Sequence, residues 1–139
     1  MQDFGDGKGP VPAHRHPNGG GWVADTAQVA NTAYVGPDAV VYGEARVSGN
    51  ARVFDKAKVY DNADVYSNAK VSDDAKVFGY ATVFGEAKVS GEARVSGYAW
   101  VFGNAKVYDN ADVYSNAEVS GNATVSGDAK VSGNDWVTD

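Results

Sequence analysis

Valine stands at every sixth position from Val23 to Val137, twenty times without a slip. Two residues before eighteen of those valines, from Ala27 to Ala129, stands an alanine with no exception. In an extended chain, residues two apart point to the same side. Each hexad therefore reads inward, outward, inward, outward, and then two turn residues. The first turn slot holds Gly, as at Gly43, Gly49, Gly79 and Gly85, or Asp or Ser. The second favours Asn, as at Asn50, Asn62, Asn68 and Asn104. Gly, Asn and Asp accept left-handed and tight-turn backbone angles cheaply. A short strand and a sharp corner every six residues predict an all-β tandem array, and exclude helices and ordinary hairpin sheets.

The phrase A-x-V-x-[G/D/S]-[N/D/E/Y], written for instance Ala45-Arg46-Val47-Ser48-Gly49-Asn50, resembles the hexapeptide-repeat family. That resemblance implies a left-handed parallel β-helix, in which three hexads close one triangular coil of eighteen residues. The expected division is an irregular Gly/Pro-rich N-terminal arm over 1–20 and a left-handed β-helix over 21–139. Twenty hexads would make six to seven coils, a prism about 30 Å tall at ~4.8 Å per stacked strand. Where the family mixes Ile, Leu and Val, this chain uses Val alone and contains no Leu or Ile. The approach Gly19-Gly20-Gly21-Trp22-Val23 also resembles uncharacterised bacterial and phage hexapeptide-repeat proteins. With eighteen residues per coil, Asn50, Asn68, Asn104 and Asn122 should stack as a corner ladder interrupted by Glu86.

The arm, residues 1–20, carries Gly and Pro without period and reads as mobile or laid over the bottom coil. It holds both histidines, His14 and His16. Two ligands fall short of a metal site, so a solvated tail is expected and no metal or cofactor. At the other end Asp135 breaks the alanine column beside Trp136, marking the top coil. One longer phrase, residues 57–69, recurs at 105–117, offset by 48 residues and followed by Lys70 in one copy and Glu118 in the other. Because 48 is not a multiple of 18, the two copies should lie on different faces.

Net charge is −6, from 12 basic and 18 acidic side chains without blocks of either sign, so bulk nucleic-acid binding is not expected. Cysteine is absent, which removes disulfides, thiolate metal sites and thiol chemistry. No apolar run reaches membrane-spanning length, and the N-terminus lacks the plan of a signal peptide. The expected location is the cytoplasm, or a virion if the protein is a phage structural component.

Position modulo eighteen sorts the outward residues onto three faces. On the first, Tyr42, Tyr60, Phe78 and Tyr114 share a column beside Lys58, Lys76 and Arg94. On the second, Tyr66, Phe84, Trp100 and Phe102 cluster, with Tyr80 and Tyr98 on the adjoining corner. The third carries the basic row Arg52, Lys70, Lys88 and Lys106, which the acidic corners Asp38, Asp74, Glu92 and Asp128 could offset.

Aromatic residues on a flat, low-charge wall mark an interface. The leading expectation is thus a non-catalytic, rigid, self-associating module joined through the second face. The resemblance favours a homotrimer, and analogy suggests a phage-encoded virion component or an inhibitor of a host protein. The alternative is a binding protein that captures an anionic aromatic ligand such as a nucleotide on the first face. The resemblance also raises acyltransferase activity, which in that family needs a histidine at the subunit boundary. Residues 22–139 contain none, so catalysis is not expected.

Overall fold

The computed structural model describes residues 1–138, which are β-strand and turn with no helix among them. From Trp22 onward the hexads wind into a parallel β-solenoid of about six turns. Each interior strand pairs in parallel with the strands eighteen residues before and after it, and each end strand with one of them. Val59, for example, lies between Val41 and Val77. The three walls are sheets of eight, seven and six strands, built on Val41, Val65 and Val53 respectively. The two copies of the longer phrase, offset by 48 residues, fall on different walls, Lys58 in the first and Lys106 in the third.

The interior of the solenoid is built from the valine and alanine columns. Through the middle turns, from Ala51 to Ala117, each of these residues has essentially no exposed surface. A tube this narrow admits Ala and Val but little else, because close-packed interiors tolerate no extra volume. At the ends the rule relaxes: Val29 and Val137 are partly exposed, and Ala129 is exposed in the last turn. Asp135, in an inward slot, is exposed there too.

Corners repeat as strictly as strands. The first turn residue sits in the left-handed region, with φ of 56–60° at Asp55, Asp61, Ser67, Asp73, Asp109 and Ser115. The next residue donates its N–H to the turn above, as from Asn50 to the Ser67 carbonyl at 2.8 Å. On the other two corners, side-chain bonds between turns come from aspartates in the first turn slot. Asp61, Asp73 and Asp109 accept the backbone N–H of Gly79, Gly91 and Gly127 at 3.1, 2.9 and 3.0 Å. A left-handed backbone turns that carboxylate upward against the next corner, while Asn50, Asn68 and Asn104 are exposed.

The arm is laid over the first turn, one of its two expected arrangements, but in short strands in place of irregular, solvated chain. Strands β1 (Gln2–Asp3) and β2 (Pro10–Val11) form an antiparallel hairpin. Strand β3 (Ala13–Arg15) then pairs antiparallel with β4 (Trp22–Ala24), the first strand of the solenoid. Further along, Val35 N–H bonds to the Asn18 carbonyl and Gly21 N–H to the Val35 carbonyl, both at 3.0 Å. The Arg15 guanidinium lies 4.6 Å over the Trp22 ring. The physical reason is that the lowest turn would otherwise leave backbone groups on its strand edges unpaired.

Candidate functional surfaces

His14 and His16 do not converge. His14 Nδ1 lies 2.7 Å from an Asp25 carboxylate oxygen on the surface. His16 is buried, its Nε2 donating to the Ala33 carbonyl at 2.8 Å. Both imidazoles thus fasten the arm to the first turn.

On the first face Tyr42, Tyr60 and Phe78 stack face to face, 4.9 and 5.0 Å apart and within 3° of parallel. A ring that sequence periodicity could not place, Phe4 from the arm, extends the column downward, 4.8 Å from Tyr42. Tyr42 is consequently buried, and this cluster also gathers Ala24, Val11 and Val40. Burial first, then Tyr60 and the carboxylates of Asp6 and Asp61, push the Tyr42 phenol up to about 12. Burial, then Asp61, raises Tyr60 as well, against the pull of Arg94. Both phenols therefore stay protonated near neutral pH and can donate hydrogen bonds.

The column of Lys58, Lys76 and Arg94 forms in register as expected. It runs along a groove of about 580 Å³ lined also by Lys56, Asp74, Glu92, Asn110 and Asp112. Asp74 and Glu92 thus border the first-face bases, whereas Asp38 shares a hollow with Arg52 of the third face. The corner precedes the first-face strand by only two residues, which carries its side chains to that side. No ion pair joins a described Lys or Arg to a described carboxylate within 4 Å.

Because the rings from Phe4 to Phe78 cover one another, a ligand cannot slide between them. The faces of Tyr42 and Tyr60 are covered by the rings below and above them. Phe78 is the last ring of the run and keeps its upper face.

On the second face Tyr66, Phe84 and Phe102 stack at 5.1 and 4.9 Å. Trp100 meets Phe84 and Phe102 edge-on, at 6.1 and 6.3 Å. Tyr80 and Tyr98 form a separate pair at 5.2 Å on the corner. The expected patch is therefore two neighbouring stacks. The three-ring stack is half-buried, while Trp100, Tyr80 and Tyr98 remain 46, 55 and 61% exposed. Up this wall the outward residues run Arg46, Asp64, Thr82, Trp100, Glu118 and Trp136.

These walls and corners define the class: the chain is a parallel β-solenoid repeat protein. A family model described as YdcK beta solenoid repeat matches residues 45–57 and 117–133, so those stretches are similar to that repeat. Neither a curated protein nor a solved structure matches the chain.

Proposed function

We propose that the protein is a non-catalytic, hexapeptide-repeat structural module of left-handed β-helical type that associates with copies of itself through its second face. The observation that carries this reading is the exposed Trp100, held edge-on against two stacked rings. Large aromatic side chains held rigid and half in water are the usual anchors of interfaces.

The order of side chains on the wall adds a specific geometry. Under a two-fold axis at Thr82, Arg46 of each copy faces Glu118 of the other, and Asp64 faces Trp100. A shift of one rung in one direction sets Asp64 against Glu118, which repel; in the other it sets Arg46 against Trp100. An isologous interface needs this kind of self-complementarity. A wall of seven rungs, about 34 Å by about 16 Å, offers roughly 500 Å² per copy. That is below the ~800 Å² per partner of standard complexes. The association is accordingly weak and concentration-dependent.

Sedimentation velocity from micromolar to millimolar protein tests the reading. Wild type should shift from one to two copies, and Trp100→Asp should stay monomeric. Arg46→Glu or Glu118→Arg alone should weaken the dimer, and the two together should restore it. A monomeric wild type at every concentration would discard the proposal. A three-copy mass without charge-swap rescue would replace the two-fold by the trimer that the family resemblance implies.

A further inference from the structure

The first-face ladder has a missing rung. Counting upward in steps of eighteen, the position after the inward valine holds Ala24, Tyr42, Tyr60, Phe78, Ser96 and Tyr114. Registers from Val59 through Val77 and Val95 to Val113 place these positions directly above one another. Ser96 therefore stands where a ring would stand, with Phe78 one rung below and Tyr114 one rung above. At ~4.8 Å per rung, the two rings are about 10 Å apart. A planar group halfway between them would sit about 5 Å from each, the spacing found throughout the ladder.

A second observation shows that a vacant rung of this column accepts a ring supplied from elsewhere. Ala24 is the other small residue within reach of a stacked ring, and beside it the space is taken by Phe4, which comes from the arm. Phe4 stacks on Tyr42 at 4.8 Å and 11° and is itself buried. Neither Ser96 nor Tyr114 has such a visitor, and Tyr114 is 36% exposed, against 6% for Tyr42. Other small residues in outward columns are placed differently. Ser72 and Ser90 leave two consecutive gaps between Phe54 and Tyr108, so a single guest there could touch only one ring.

We propose that the Ser96 rung is a binding slot for a small planar aromatic anion, sandwiched between Phe78 and Tyr114. The anionic character follows from the neighbours. Arg94, two residues before Ser96 on the same strand, is exposed and within 4 Å of no described carboxylate. Lys76 lies beside it in register. Asp112 is next above Arg94 and limits the site to a ligand whose charge projects toward the lower two bases. On the other side Tyr98, stacked on Tyr80, walls the corner. The ring stacks, the Ser96 hydroxyl can bond to its edge, and the acidic group reaches Arg94. This slot is on the first face and stands independently of the second-face association.

Ligand-observed saturation-transfer NMR, with adenosine 5′-monophosphate as probe, tests the slot. The monophosphate should give a saturable signal, adenosine should bind several-fold more weakly, and ribose 5-phosphate should give none. Ser96→Phe fills the rung from within and should abolish the signal while raising the melting temperature, which separates loss of the site from loss of the fold. Arg94→Gln should reduce monophosphate affinity to that of adenosine. An absent wild-type signal, or one that survives Ser96→Phe, would overturn the site. Equal binding of adenosine and the monophosphate would overturn its anionic assignment.

Discussion

Replacing Val83 by alanine measures what the narrow interior contributes. Val83 lies in a middle turn, has no exposed surface, and pairs with Val65 below and Val101 above. Losing two methyl-sized groups forfeits about 1.6 kcal/mol of transfer energy at ~0.8 kcal/mol each. The space they leave, roughly 50 Å³, adds about 1.2 kcal/mol at ~24 cal/mol per Å³, because paired strands on both sides keep the walls from collapsing. The expected cost is about 3 kcal/mol. The same substitution at Val137, partly exposed in the last turn, should cost less than about 1 kcal/mol. Urea unfolding followed by far-ultraviolet circular dichroism gives both values, provided the slope of free energy against urea is unchanged. Equal costs at the two sites, or a cost below about 1 kcal/mol at Val83, would refute the claim that stacked valines form one rigid interior.

Corner glycines divide by what stands above them. Gly97 has φ +65°, and an added Cβ would fall 2.6 Å from the Ser115 nitrogen. Gly127, with φ +63°, has open space above. Gly127→Ala should cost about 1 kcal/mol for the left-handed backbone alone, and Gly97→Ala about 2–3 kcal/mol in thermal or urea unfolding. Tyr42 should make the fold sensitive to alkali. Its phenol titrates at about 12 when folded, against about 10 unfolded, so the unfolded chain releases its proton first as pH rises. The stabilisation is complete below about pH 10 and lost by about pH 12, and partial screening by solvent limits it to about 1–2 kcal/mol. Melting temperatures of wild type and Tyr42→Phe should therefore diverge across that window, the wild type falling faster. Phe4→Ala uncovers Tyr42 and should bring its spectrophotometric titration back toward pH 10, besides lowering stability by about 3 kcal/mol.

The walls, their registers and the sorting of side chains onto three faces were legible because one physical rule, period six with two inward residues, governs every hexad. Columns such as Lys58, Lys76 and Arg94 could be read as arithmetic. The arm could not. Phe4 and His16 take their places through contacts with Tyr42 and the Ala33 carbonyl, and nothing periodic near them announces it. The aspartate bonds at the corners were half visible. Asp55, Asp61, Asp73 and Asp109 share the slot otherwise given to glycine or serine, but the upward aim of the carboxylate depends on the left-handed backbone. Face assignment predicted which aromatic residues are neighbours, but not that Phe4 would cover the Tyr42 ring from below.

Strand pairing at a constant interval of eighteen has a consequence for how such a chain can change over generations. Inside the tube every hexad is interchangeable, since each offers the same alanine and valine wherever it lands. Inserting or losing eighteen residues lengthens or shortens the tower and leaves each column above it in line. A gain or loss of six turns everything beyond it by one side, dealing lysines onto a wall that held aromatics. The phrase shared by 57–69 and 105–117 is such a deal, eight hexads along and on another side. Heredity can thus rewrite the exterior wholesale while the interior goes untouched.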